Sequence, residues 1–410
     1  MNATVKPPRS PVEANIAASF EALRAAGVAP AQEAAFARFV ERGLPSRRIE
    51  ARHYTDLRTQ LKSAPPPSSG AAPATFGDNF LFVDGALVSA AQTLSGVSVE
   101  RTPAGRTLAT PVIDEADASV ALTRAFAREA VTIRVADNAQ AGVLNLTFRN
   151  GEAAATSAAH VIVAVGTGAS LTLIESHESA PGAAHLAQTL VEFDVAEGAR
   201  VHHIRINTLD VAASSISTLG ADIGAQAVFE TLSLTTGAGL SRHQVFARFS
   251  GENAKAAISG ATLARGKQHA DTTIVINHVA PHCESREIFK SIVDEDATGV
   301  FQGRINVAKG AQKTDARMSS NAMLLAAGAA MYNKPELEIF ADDVQCAHGA
   351  TCGELDEDLL FYIMARGIPR HDAEALLLEA FVAPAFEGVE DEALREKLME
   401  RVRGWLAQRK

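Results

Sequence analysis

Cysteine is scarce, with three in 410 residues, Cys283, Cys346 and Cys352. That number is odd and too sparse for a disulfide framework, and it fits reduced thiols. Tryptophan occurs once and tyrosine three times, so a core assembled on large aromatic rings is not expected. No apolar run approaches the ~18 residues of a membrane-spanning helix, and the opening residues lack a signal-peptide apolar stretch. The expectation is a cytoplasmic chain without a membrane role. Lys/Arg-rich runs are missing and the formal net charge is −10, which argues against nucleic acid, whose phosphates demand a basic face. A GxxxxGK[ST] loop, an HExxH helix and a nucleophile–base–orienter set are also lacking. Nothing therefore marks a bound nucleotide or a self-contained catalytic site.

What the chain has instead is Ala, Gly, Val and Thr, the composition of many short strands stacking on small side chains. At 410 residues it exceeds the roughly 250–300 at which one compact core stops growing, so several domains or an elongated repeat are expected. The segment to about Leu61 reads helical, with Val12, Ile16, Phe20 and Leu23, then Phe36, Phe39 and Val40, at three- or four-residue spacing up to Gly43. Lys62 to Gly70 is a Pro/Ser/Gly linker that holds neither helix nor ladder. From Phe76 to about Ala350 come short alternating runs such as Leu171–Ile174, Val191–Val195, Ile204–Ile206, Val228–Leu234 and Thr273–Ile276. A unit ending in Gly-Ala recurs at Gly168-Ala169, Gly198-Ala199, Gly224-Ala225 and Gly310-Ala311. Such spacing is solenoidal, because one coil cannot bury its own apolar face and must stack on the next. A right-handed parallel β-helix is predicted, with a β-sandwich as the structural alternative. The domain reading is 1–75 helical segment and linker, 76–350 β-helix, and 351–410 helical subdomain.

In the stretch Pro335 to Phe381, Leu337, Ile339 and Ala341 alternate with Glu338, Phe340 and Asp342 as on a half-buried strand, and Asp342-Asp343 offers a turn. Val344, Cys346 and His348 again stand two apart, which puts thiol and imidazole on one face of an extended backbone. Gly349 and Gly353 bracket the strand end. A helix follows, with Asp356 as N-cap and Gly367 as C′. A second runs from an Asp372 N-cap to Val382. A third spans Glu390 to Gln408 with Leu394, Leu398, Val402 and Trp405 in one stripe. Other donor clusters are weaker. His202 and His203 are adjacent on a strand and face opposite ways, and His177-Glu178 has the same defect. His278, His282 and Cys283 have zinc-like spacing but lack a fourth ligand nearby. Cys352 reads as a small buried hydrophobe.

The runs Leu337-Glu338-Ile339, Ala341-Asp342-Asp343-Val344, Cys346-Ala347-His348-Gly349-Ala350-Thr351, Leu355-Asp356, Phe361 to Ile368 and Ala380-Phe381 resemble the C-terminal signature of the SufB/SufD family of iron–sulfur cluster assembly proteins. The front element, Gly43-Leu44-Pro45 through Glu50 to Tyr54-Thr55-Asp56-Leu57, looks like that of SufD-type members, with Arg52 where they usually have Trp. The resemblance implies a parallel β-helix and a non-enzymatic scaffold that pairs with SufB and docks the ATPase SufC on its C-terminal helices. Phe361, Tyr362 and Phe381 are then either core of that subdomain or anchors in the contact. It also implies a transient iron–sulfur cluster or sulfur-transfer site at the SufB interface, with His348 the ligand and Cys346 the auxiliary thiol. It allows reduced flavin in the complex and a homodimer of the isolated chain. The contrasting readings are a β-solenoid carbohydrate-active enzyme, which needs an acidic cluster along one groove where the carboxylates here are scattered, and a homodimeric structural solenoid without cluster chemistry.

Overall fold

The structure, a computed structural model, describes residues 10–67, 79–90, 94–103, 112–113 and 117–409. The expected boundary between residues 75 and 76 lies outside the described residues. A hairpin of β1 (Phe80–Val83) and β2 (Ala86–Ala90), and the strand β3 (Val97–Pro103), open the β region. Thereafter strands come in pairs: β4 (Glu129–Val135) and β5 (Gln140–Asn150), β6 (Thr156–Val165) and β7 (Ser170–Ser179), β8 (Leu186–Val195) and β9 (Arg200–Asn207). The series continues with β10 (Ser214–Ile223) and β11 (Val228–Thr235), β12 (Leu240–Phe249) and β13 (Lys255–Ala264), β14 (His269–His278) and β15 (Glu284–Val293). It closes with β16 (Thr298–Val307) and β17 (Asp315–Leu324), then β18 (Ala330–Ile339) and β19 (Gln345–Gly353). Even strands form one sheet from β18 down to β4 with β3 at its edge. Odd strands form the other, from β19 down to β5, then β1 and β2. From β4 on all pairings are parallel, so each pair is one coil of a parallel β-solenoid.

The alternation read from sequence gives each sheet one row of side chains facing the other. Val161, Phe193, Leu219, Val245 and Ile274 from the even sheet meet Leu173, Val201, Phe229, Ile258 and Phe289 from the odd one, all buried. The corner after each even strand repeats as well. Asn138, Gly168, Gly198, Gln226, Asn253, His282 and Lys313 all have positive φ, and each donates its N–H to a carbonyl of the next coil. The residue that follows points inward and must be small: Ala169, Ala199, Ala227, Ala254 and Cys283 are all buried. This corrects the repeat. Gly168 and Gly198 occupy the left-handed position, where glycine carries no Cβ penalty, but Gly224 sits two residues before that position, which Gln226 fills.

On the outer face of the even sheet lie α1 (Pro11–Ala26), α2 (Pro30–Arg42), a 3-10 turn (Glu50–Arg52), the single-turn α3 (Leu57–Gln60) and α4 (Ala118–Phe126). Ser10 and Glu13 form a capping box on α1, and Gly43 caps α2 at φ 68°. Phe20 stacks on Phe36 with ring centroids 3.8 Å apart. These helices bury Ala158, Leu186, Ile216 and Leu240 of the sheet, each large apolar side chain contributing about 1.5–3 kcal/mol. Helix α4 stands inside the region expected to be strands alone; its Asp117 cap and apolar run are a helix start that the surrounding alternation hid. Within the expected linker, Pro67 bridges Thr156 and the Pro66 carbonyl accepts from the Thr156 N–H.

The odd sheet carries α5 (Glu357–Met364), α6 (Arg370–Val382), a 3-10 turn (Ala383–Phe386) and α7 (Glu392–Leu406). Leu378, Val382, Phe386, Leu398, Val402 and Trp405 pack on Ile204, Leu232, Leu234, Leu263 and Ile292. Asp356 caps α5 as expected. Pro369, not Asp372, precedes α6, because proline's fixed φ suits a helix entry and leaves Asp372 in the first turn.

Candidate functional site

Among the described residues β19 is the last strand of the ten-stranded sheet and pairs only with β17. The register sets Cys346 beside Ala316, His348 beside Met318, Ala350 beside Ser320 and Cys352 beside Ala322. All four β17 residues are buried and face the interior. Cys346, His348, Ala350 and Cys352 therefore continue the inward row, but no further coil lies over them. Cys346 is half-buried, while His348 and Cys352 are exposed. The strand runs on through Gly349 to Gly353, so only the second of the two glycines stands at its end. β18 stops at Ile339, and Ala341 is buried in the corner that Asp342 and Asp343 turn.

Burial pushes the Cys346 thiol up, and the nearby Asp315 and Glu287 carboxylates push the same way against an Ala316 backbone hydrogen bond. The two donors share a face as their spacing requires, but they are only two. Among the described residues no group of three or more His, Cys, Asp or Glu side chains could hold a metal ion.

The other sequence candidates separate. His202 points outward to Glu230, Nδ1 to Oε2 2.6 Å. His203 points inward, its Nε2 3.0 Å from Glu175 and its Nδ1 2.9 Å from Thr231. His177 pairs with Glu175, two residues away on the same face, rather than with adjacent Glu178. With Arg205 and His243 these groups form a polar cluster wholly inside the solenoid. Sequence reading missed it because its members come from strands 28 residues apart. His278 is buried against Ser285 at 3.1 Å and brought down to about 4 by burial. His282 is exposed at the corner, and Cys283 points inward, its thiol 3.3 Å from the Gly251 carbonyl. These three do not converge.

A second exposed feature lies on α5 and α6. Phe361 is 73% exposed and Tyr362 58%, beside exposed Leu359 and Leu376. The Arg366 guanidinium lies 3.6 Å from the Tyr362 ring centroid. Phe381 packs against the C-terminal core, with the Lys290 ammonium 5.0 Å over its ring.

Residues 146–381 match the family described as SUF system FeS cluster assembly, SufBD core domain. The chain belongs to the SufB/SufD family. The matched residues run from within β5 to near the end of α6 and include Cys346, His348 and the exposed α5 face. This SufB/SufD member is 28% identical to the iron–sulfur cluster assembly protein SufD of Escherichia coli (strain K12), over 88% of this chain and 89% of that one. An iron–sulfur cluster assembly SufBD family protein of Synechocystis is 35% identical over 52% of this chain and 47% of its own length. The chloroplastic protein ABCI7 of Arabidopsis thaliana is 30% identical over 53% of this chain and 46% of its own. The chain is thus a SufD-like iron–sulfur cluster assembly protein. Among the described residues no helix is long and apolar enough to cross a membrane.

Proposed function

We propose that this chain is the SufD-type scaffold subunit of a cytoplasmic SUF assembly, pairing with SufB along β19 and docking SufC through α5 and α6, with nascent clusters built at the SufB contact. The observation that carries the reading is an incomplete donor set on an open edge: Cys346 and His348 share one face of a strand that, among the described residues, has a neighbour on one side only. Iron–sulfur centres usually take four protein ligands, so two donors on an unpaired edge are complete only when another subunit brings the rest. In this reading His348 is the ligand and Cys346 the auxiliary thiol. The exposed Phe361 and Tyr362 serve the ATPase contact, and closure of two SufC subunits strains the pair through the C-terminal helices. The ATP chemistry belongs to SufC. A reduced flavin in the complex is compatible with this scheme and is assigned to no residue of this chain.

The test is co-expression with a SufB and a SufC and purification through a tag on this chain. The reading expects a stable ternary complex that acquires iron–sulfur absorbance on reconstitution with ferrous iron and a sulfide source. A chain that captures neither partner is not a SUF subunit.

A further inference from the structure

The C-terminal layer does not seal the outer face of the odd sheet evenly. Across β9, β11 and β13 the register aligns His202, Glu230 and Ala257 in one outward row and Ile204, Leu232 and Ser259 in the next. Both rows drop to small side chains at β13. On β15 Arg286 and Ile288 resume the long ones, so the floor dips beneath the segment that leads from the second 3-10 turn into α7. Val389 of that segment and Leu394 in the first turn of α7 stand over the dip without filling it. A cavity of about 240 Å³ is left between sheet and helix layer. That is below the roughly 300–1,000 Å³ of sites for drug-sized ligands and holds one smaller organic molecule.

The row of His202 and Glu230 is the polar side of this cavity, and the row of Ile204 and Leu232, with Val389 and Leu394 above, is the apolar side. The His202 Nδ1 is 2.6 Å from the Glu230 Oε2. Glu390 acts on the same imidazole through its charge, and Asp391 accepts from the Leu394 N–H at 3.0 Å as the cap of α7. No Lys or Arg is among the described residues that line the cavity. Arg200, whose charge also reaches His202, is exposed and lies outside the lining. Three carboxylates therefore face at most one cation, and the lining keeps an excess of negative charge in either state of His202. Such a site repels an anion and attracts a cation, while its aliphatic side rewards an apolar stem.

We propose that this cavity binds a small organic cation, a guanidinium, amidinium or ammonium group on a short apolar stem, with Glu230 pairing the cation and Ile204, Leu232 and Leu394 receiving the stem. Glu230 is the anchor because its side chain is 29% exposed, which shields its ion pair from salt better than one at the exposed Glu390. Asp391 is already held by the α7 N-terminus. Ala257 and Ser259 make the room, since a long side chain at either position would close the floor. The cation comes either as a free small molecule or as the arginine side chain of a partner chain, and both present the same chemistry to Glu230.

The test uses the full-length chain alone, so its outcome is independent of the proposed SufB and SufC contacts. Benzamidine, an amidinium on an apolar ring, is titrated by calorimetry and into methyl-labelled protein followed by NMR. Benzamide, its neutral isostere, is the control. Benzamidine should bind at least tenfold more tightly than benzamide and shift the methyl resonances of Ile204, Leu232, Val389 and Leu394. Glu230→Gln keeps the shape and should lower benzamidine affinity at least tenfold. Ala257→Leu keeps every charge, fills the floor and should abolish the methyl shifts, with the thermal midpoint showing that both variants fold. N-acetylarginine N-methylamide forms the second arm: binding tighter than that of benzamidine assigns the site to an arginine of a partner chain, and weaker binding assigns it to a free cation. Equal affinity for benzamidine and benzamide, methyl shifts confined to other residues, or full affinity in the folded Glu230→Gln protein overturns the proposal.

Discussion

Arg52 and Asp117 form a partly buried ion pair across 65 residues, joining the N-terminal 3-10 turn to the N-cap of α4. Burial alone would raise the Asp117 carboxyl; the Arg52 and Arg242 guanidiniums and two backbone N–H bonds hold it below the usual carboxylate range. Arg52 thus ties the N-terminal 3-10 turn to α4 within the helical layer by charge. The same turn adds the Thr55 to His269 contact at 2.9 Å and the stacking of Tyr54 on Tyr332.

Asp117→Ala removes the α4 N-cap and leaves the Arg52 guanidinium without its carboxylate, while Arg242 keeps its ion pair with Asp271. Loss of a cap costs about 1 kcal/mol, and an uncompensated buried charge about 3–5 kcal/mol. The expected outcome in urea unfolding is a loss at the upper end of that range, largely recovered in Asp117→Ala with Arg52→Leu. If the double variant is no more stable than the single one, the pair is not what Asp117 holds.

Glu287 points into the core between Ile258 and Met318 of the neighbouring strands, and burial pushes its carboxyl up to about 8 against the opposing effects of Ser285 and Arg286. An acid whose pKa is raised in the folded state stays protonated there while the unfolded chain ionises. Stability is therefore lost as pH rises from the ordinary glutamate range through about 8. The loss is on the order of 3 kcal/mol at pH 7. Glu287→Gln should match the parent's thermal midpoint near pH 5 and exceed it increasingly up to pH 8. Parallel midpoint curves for the two proteins would show that Glu287 ionises freely.

Phe361 and Tyr362 project from α5 while Leu360 between α5 and the core is fully buried. Substituting the exposed pair by serine should change the thermal midpoint little, since surface replacements usually fall within about 0.5 kcal/mol. In the proposed function it should weaken SufC binding at least tenfold by calorimetry. Phe381→Ser should instead destabilise the C-terminal layer. Unchanged SufC affinity with the well-folded Phe361→Ser/Tyr362→Ser protein would move the docking surface elsewhere.

His348 is exposed and makes no packing contribution to a coil above it, so His348→Ala should leave the thermal midpoint and the ternary complex nearly unchanged. In the proposed function it should strongly reduce cluster yield, with Cys346→Ala milder and Cys352→Ala close to the parent. A normal iron–sulfur absorbance from the His348→Ala complex would remove the interfacial-ligand role.

The sequence by itself determined the strand region, the terminal helices and the placing of Cys346 and His348 on one face, because these rest on periods of 2 and 3.6 residues and on local caps. Asp356 and Gly43 are helix ends that a few neighbouring residues specify. It also carried the family resemblance, which needs only contiguous motifs. What it could not yield are relations across coils. Glu175 meets His203 only because stacking places residues 28 apart side by side, and Cys283 is a rung of a small-residue ladder rather than a ligand because the left-handed corner before it turns it inward. Helix α4 was hidden by the strands around it. That Cys346 and His348 lie on an edge, and not in the middle of the sheet, was decided by the tertiary structure alone. Alternation assigns a side chain to a face, and only the stacking of coils decides whether another strand covers it.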